Sequence, residues 1–235
     1  GLAGGDPHSG ECGIKMRRPG LADVHVHLRV PGGEHKEDIR SGTSAALAGG
    51  FTTILCMPNT RPPLIHPDAI RKLKEQIRTE ALCDVHPFGG LSAETLDQLP
   101  ELGKEAAGLK IYMDQTYGPL RITDLSVLEA AFSCFPADRM IALHAEGQSI
   151  AAGLGLAAAY GHKVHFCHVS RRSEIELIAA AKARGLPVTC EVTPHHLFLS
   201  EDDLPRLGAL GDMRPLLASR EDVSALWDHI NSTID

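Results

Sequence analysis

The 235-residue chain has few cysteines, no long apolar run and no excess of positive charge, and each shortage closes off a class of function. Its six cysteines (Cys12, Cys56, Cys83, Cys134, Cys167 and Cys190) are widely scattered without a CxxC pair, which argues against a disulfide framework and for a reducing compartment. Most of them suit small buried core positions. The longest apolar stretch, Ile150 to Leu156 with its flanks, is rich in small residues and too short to cross a bilayer. No charged-then-apolar leader opens the chain, so a cytoplasmic protein with no membrane partner is expected. A net charge of -7, spread over dispersed acidic residues, offers no basic face, and nucleic acid is not an expected partner. No GxGxxG or P-loop string follows any strand-like run, which removes the common nucleotide-binding signals.

What is present suits an enzyme-sized chain. With 43% hydrophobic and 23% charged residues, it can bury the core of one large domain. Residues 1–18, rich in Gly, Pro, Ser and charge without period, read as a linker or disordered lead-in, leaving 19–235 as the domain. From Leu21 onward, strand-like and helix-like stretches alternate. Strands are expected at Leu21 to His27, Phe51 to Met57, Cys83 to Phe88, Gly108 to Met113, Met140 to His144, Lys163 to Val169 and Pro187 to Val192. Helices are expected at Lys36 to Ala48, Pro67 to Glu80, Ser92 to Ala106, Thr123 to Phe132, Gln148 to Tyr160, Arg171 to Ala183, Glu201 to Leu207 and Ser219 to His229. An eighth strand would start near Ile234. This order fits a parallel (β/α)8 TIM-type barrel, apparently truncated before strand 8, better than an open doubly wound sheet.

A barrel places its chemistry at the carboxyl ends of the strands. In Asp23-Val24-His25-Val26-His27-Leu28-Arg29, strand alternation points His25 and His27 to one face. Asn59 follows the second strand, Lys110 lies in the fourth, His144 ends the fifth, Cys167-His168 ends the sixth and Glu191 stands near the end of the seventh. Histidines gathered at one barrel face suit a borderline metal such as zinc, and Arg29 beside them suits an anionic substrate.

These strings together resemble a known family. Gly20 to Arg29, Met57-Pro58-Asn59-Thr60, Gly108-Leu109-Lys110, His144-Ala145-Glu146, His168-Val169 and Pro194-His195-His196-Leu197 resemble the dihydroorotases of the amidohydrolase superfamily. Ala179 to Ser200 is similar to the dihydroorotase domains of animal multifunctional, CAD-type pyrimidine-synthesis proteins. The resemblance covers about Pro19 to Asp235. It implies reversible closure of N-carbamoyl-L-aspartate to L-dihydroorotate, on two Zn2+ ions. An ammonium is a poor metal ligand, but a lysine carboxylated on its amine becomes an anionic bridge, and Lys110 is the candidate. By similarity His25, His27 and Lys110 hold one zinc, and Lys110, His144 and His168 the other. Cys167 and Glu191 resemble the holders of a third, with a buried cysteine and a supporting glutamate as the alternative, because neighbouring strand residues face opposite ways. Arg29, Asn59 and Arg214 would hold the substrate carboxylate, and Thr116 and Tyr117 lie on a loop that covers the substrate in the family. Arg29 favours dihydroorotase over allantoinase and dihydropyrimidinase, whose substrates lack the ring carboxylate.

Two departures stand out. Val30 replaces a usual acidic residue. The family's eighth strand carries an aspartate that binds zinc and acts as general acid/base, and the chain stops at Asp235 before that position, so low activity is expected of these residues alone. A non-catalytic scaffold or assembly module is the competing expectation. Self-association and fusion to aspartate transcarbamoylase and carbamoyl phosphate synthetase domains follow from the resemblance. His195 and His196 are expected to support structure; His8, His35, His66, His86, His162 and His229 are expected to be surface or packing residues.

Overall fold

The computed structural model describes residues 18–235. The lead-in therefore lies outside the described residues, apart from Arg18. The elements alternate as expected: β1 (Leu21–Val26), α1 (Ile39–Ala48), β2 (Phe51–Cys56), α2 (Pro67–Glu80), β3 (Asp84–Pro87), β4 (Gly89–Gly90), α3 (Leu99–Glu105), β5 (Gly108–Tyr112), α4 (Leu125–Cys134), β6 (Met140–His144), α5 (Gln148–Tyr160), β7 (Val164–Phe166), α6 (Arg172–Ala183), β8 (Val188–Cys190), α7 (Pro194–Phe198), α8 (Leu204–Leu207) and α9 (Arg220–Asp228).

All strand pairs are parallel. The strands hydrogen-bond in two runs, β1-β2-β3 and β4-β5-β6-β7-β8. The break between the runs is a kink within one barrel position: β3 pairs with β2, the chain bends at Phe88, and β4 pairs with β5. The eight strands thus fill seven barrel positions in chain order. Among the described residues no strand joins β8 to β1, and β1 is correspondingly open, with Leu21 55% exposed. The expected eighth strand leaves a trace. The Asp235 N–H donates to Cys190 C=O at 3.1 Å, and the Cys190 N–H donates to Asp235 Oδ2 at 3.0 Å.

Side-chain pattern explains why these segments take these forms. β5 is buried along its whole length, as expected of a parallel strand covered on both faces. Leu109, Ile111, Ile141, Leu143, Val164 and Phe166 are fully buried towards the helices. In α2 the buried Ile70, Leu73 and Ile77 recur at three and four residues, so one stripe faces the sheet. Gly153 of α5 lies so near the sheet that a Cβ there would stand 2.6 Å from Leu143 Cδ1.

Where boundaries differ from the sequence reading, local chemistry accounts for it. α1 starts at Ile39 rather than Lys36 because Asp38 caps it, accepting from the Ser41 N–H at 2.7 Å. The stretch expected as one helix from Ser92 to Ala106 divides into a 3-10 turn at Ala93–Gln98 and α3, whose Pro100 cannot continue a preceding helix. β7 ends at Phe166, short of the expected Val169, because His168 adopts φ of 39°, which no strand accommodates.

Candidate active site

Register carries one row of residues across the strands. Gly90 is opposite Lys110, Lys110 opposite Ala142, Ala142 opposite His165, and His165 opposite Thr189. Registered partners share a face, and Gly90 and Ala142 take up little room, so Lys110 and His165 have space inside the barrel. Beside them pack Met57, Phe88 and Cys167 with Ala142.

Lys110 is fully buried. Its Nζ donates to Cys167 Sγ at 2.7 Å and lies 5.3 Å from the Tyr112 ring centre, and among the described residues no carboxylate pairs with it. Four imidazoles converge above it. The rings of His25 and His27 are 5.3 Å apart, those of His25 and His168 5.2 Å, and those of His144 and His168 4.6 Å. His144 Nδ1 faces His168 Nε2 at 2.9 Å, while His144 Nε2 and His168 Nδ1 are buried without hydrogen-bond partners. Glu146 Oε1 stands 3.5 Å from His144 Nε2, too far for a good hydrogen bond.

Burial is the first cause that lowers the pKa of three of these imidazoles, His25, His27 and His168. It lowers the pKa of His25, with Lys110 adding to the effect, and pushes that of His27 down to about 3, with His25, Arg29 and Lys110 contributing. His168 is held well below the usual histidine range by burial and by Lys110. Burial raises the Cys167 thiol to about 12, although Lys110 opposes it. Burial would also raise Glu191, but hydrogen bonds from His165 and His25 outweigh it and hold the carboxyl well below the usual range. Glu191 Oε1 accepts from His25 Nδ1 and from the His168 N–H, and Oε2 accepts from His165 Nε2 at 3.2 Å.

Imidazoles with unsatisfied nitrogens, around a buried lysine lacking a counter-ion, are a donor set suited to metal ions. A further donor set, His25, Cys167 and Glu191, has one ligand atom from each within 4.8 Å of the others. The strand has ended by Cys167, which is fully buried, and the left-handed His168 turns its ring back to the cluster, so these two neighbours do not point apart as strand residues would. Backbone in that region is costly for a non-glycine residue and persists where surrounding structure enforces it.

The residues expected to hold substrate divide between two recesses. One of about 350 Å3 is lined by His25, His27, His168, Glu191, His195 and Arg214. The other, of about 180 Å3, is lined by Arg29, Asn59 and Tyr117. His27 Nδ1 bonds Asn59 Oδ1 at 3.0 Å and so links the two. Arg29 has φ of 63°. Tyr117, 59% exposed, donates to Asp212 C=O at 3.2 Å, and the Arg214 guanidinium lies 5.5 Å from its ring centre. Thr116 is half-buried on the same loop and lines neither recess. A larger cavity of about 750 Å3 against α2, walled by Leu64, His66 and Leu73, contains none of the imidazole cluster.

A family model described as Dihydro-orotase-like matches residues 15–118. The multifunctional protein CAD of Squalus acanthias is 46% identical over 217 residues, covering 92% of this chain and 10% of that protein. The chain is similar to dihydroorotase-like proteins in both comparisons. A dihydroorotase from Lactobacillus helveticus is 35% identical over 255 residues, covering 94% of this chain and 59% of that protein. Among solved structures, an L-hydantoinase (dihydropyrimidinase) from Arthrobacter aurescens superposes with a TM-score of 0.84 at 25% identity, over 92% of this chain and 56% of that one. The inactive dihydroorotase-like domain of a CAD-like multifunctional protein from Chaetomium thermophilum gives 0.78 at 26% identity, over 92% and 62%. The dihydroorotase-like chain therefore spans a tenth of the multifunctional relative and under two thirds of the others. Its architecture is the partial amidohydrolase barrel expected from the alternation of elements.

Sequence reading missed one residue of this dihydroorotase-like site, His165. Its signal was in the string Val164-His165-Phe166-Cys167, where alternation puts His165 on the same side as Cys167. His196, as expected, serves structure: Nδ1 bonds Thr193 Oγ1 at 2.8 Å and Nε2 donates to Pro215 C=O at 3.2 Å. His162 likewise donates from Nε2 to Phe132 C=O at 2.8 Å.

Proposed function

We propose that this chain supplies the metal-binding barrel of a dihydroorotase, which closes N-carbamoyl-L-aspartate to L-dihydroorotate with loss of water and runs the reverse hydrolysis. The observation that carries the reading is the buried Lys110, without a carboxylate partner, under His25, His27, His144 and His168, with Asn59 one hydrogen bond from His27 and Arg29 in the same recess as Asn59. His25, His27 and carboxylated Lys110 would hold one zinc, Lys110, His144 and His168 the second, and His25, Cys167 and Glu191 a third. Nitrogen, sulfur and oxygen donors of this mix favour zinc over harder cations. Bound zinc supplies Lewis-acid polarisation of the substrate carbonyl and an acidified water.

The chain's own residues do the rest. Arg29 and Asn59 grip the substrate carboxylate, and Arg214 approaches from the other recess beneath Tyr117, so closure of the Thr116–Tyr117 loop brings the groups together and excludes water. In the metal-free chain Glu191 accepts the Nδ1 proton of His25 and so turns the other nitrogen to the centre; a third zinc would take that proton's place between them. The chain spans only part of its relatives' length, so the activity is proposed of the whole protein, in which, by the resemblance, an aspartate of the eighth strand transfers the proton. Such a protein is cytoplasmic, self-associated and fused to the transcarbamoylase and synthetase that make its substrate. No helix among the described residues is long and apolar enough to cross a membrane.

Arg29→Gln tests the substrate. In a full-length protein, loss of one charge-assisted contact of about 2–4 kcal/mol lowers kcat/KM for dihydroorotate about 30- to 1000-fold and leaves an uncharged cyclic ureide unaffected. Equal losses on both substrates would point to a hydantoinase-type specificity. The likeness to an inactive dihydroorotase-like domain supports a second reading, a non-catalytic assembly module. Zinc bound at the site with no turnover of either substrate would favour it.

A further inference from the structure

We propose that His165, locked by Thr189, is a positioning residue that holds Glu191 in place for the third zinc, so that this pair sets how tightly that ion binds. The inference rests on the reading of His25, Cys167 and Glu191 as a metal site, and adds two residues that touch none of the reacting atoms.

The geometry assigns the protons. A carboxylate can only accept, so His165 Nε2 donates to Glu191 Oε2 across 3.2 Å. In the tautomer that donates there Nδ1 is the acceptor, and the group beside it is the Thr189 hydroxyl at 2.8 Å. Thr189 thus donates to His165, and His165 donates to Glu191: one hydroxyl selects the tautomer that can hold the carboxylate. The two residues are directly opposite in the β7–β8 register, and His165 is 7% exposed, so the imidazole has little room to turn away from Thr189. Cys167 and Glu191 lie two residues further along the same chains. The barrel therefore has a lower row, His165 and Thr189, that bolts an upper row, Cys167 and Glu191, carrying the donor atoms. With Oε2 held, Oε1 remains beside His25 Nδ1 and the His168 N–H, and within 4.8 Å of a Cys167 ligand atom. Without the bolt, Glu191 is free to rotate its carboxylate away from that donor set.

Removing a hydrogen bond behind a metal ligand typically weakens metal affinity 10- to 100-fold. The test is a zinc titration against a competing chelator on the full-length protein, with metal content per chain measured at each step. Four variants are compared with wild type: Thr189→Val, which removes only the hydroxyl; Thr189→Ser, which restores it; His165→Phe, which removes the imidazole at similar bulk; and Cys167→Ser as the reference that loses the third ion. The expected result is three ions in wild type and Thr189→Ser, two in Cys167→Ser, and a weakest site loosened 10- to 100-fold in Thr189→Val and His165→Phe. If wild type and Cys167→Ser differ by one ion while Thr189→Val binds all three as wild type does, the positioning role is overturned and the metal site stands. If wild type and Cys167→Ser hold equal numbers, the metal site fails and the positioning role fails with it. Should His165→Phe not fold, the Val and Ser exchanges at Thr189 still decide, since a purely structural hydroxyl would shift thermal stability without moving the zinc affinity.

Discussion

Lys110 is the residue whose replacement should separate a metal centre from an ordinary core. In the metal-free chain its ammonium is fully buried, with a thiol at 2.7 Å and the Tyr112 ring 5.3 Å away as its nearest support. Withdrawing such an ion from water costs several kcal/mol even after the surroundings relax. The thiol hydrogen bond and the aromatic ring return about 1–2 kcal/mol. Lys110→Met keeps most of the side-chain length and removes the charge, so the metal-free protein should gain about 2–4 kcal/mol. For a domain of this size that raises Tm by roughly 5–15 °C. The same variant should lose the stabilisation that wild type gains when zinc and bicarbonate are added together. Differential scanning calorimetry of both proteins, first with chelator and then with zinc and bicarbonate, reads both effects. A metal-free Lys110→Met no more stable than wild type would refute the premise that this lysine is an uncompensated charge awaiting a modification.

Stability should also depend on pH through His196. Burial, with His195 beside it, lowers its pKa from the ordinary 6.5 to about 4. Between those values the unfolded chain binds the proton and the folded chain does not, so stability falls as pH drops from 6.5 to 4, by up to about 3 kcal/mol from this group. Urea melts across that range should show the slope, and His196→Gln should flatten it. Glu174 ties the loops that follow β6 and β7, accepting from the N–H groups of Gly147 at 2.8 Å, Ser170 at 3.2 Å and Arg171 at 3.1 Å. Glu174→Gln turns an amide donor towards one side of this set and should cost about 1–3 kcal/mol in urea denaturation. Gly153→Ala should cost about 1–3 kcal/mol by overpacking α5 against Leu143, and unchanged stability there would mean the helix can shift.

The alternation of apolar strands with capped helices was enough to place every main helix and all seven barrel positions, because each local signal agreed with the fold. α2 and α5 match their expected limits residue for residue. The errors cluster where backbone geometry departs from regularity. The kink at Phe88 has Gly89 and Gly90 directly after it, but the left-handed turns at Arg29 and His168 have no glycine to announce them, and both turns shape the site. His25, His27, His144 and His168 were legible because they sit at or just past strand ends, and Lys110 because it lies within a strand among them. Side-chain direction was not. That Cys167 meets Lys110 and that Glu191 gathers His25 and His165 depend on the register between β7 and β8, which a single sequence does not specify.

Lys110 and its histidines are proposed to form a metal centre that interconverts carbamoyl aspartate and dihydroorotate. The most direct measurement is dihydroorotate turnover by a zinc-loaded protein that extends this chain through an eighth strand, compared with Lys110→Ala and with residues 1–235 alone. Turnover in the longer wild type, and little or none in the other two, is the expected result. Equal turnover by Lys110→Ala, or none by the fully zinc-loaded longer wild type, would contradict it.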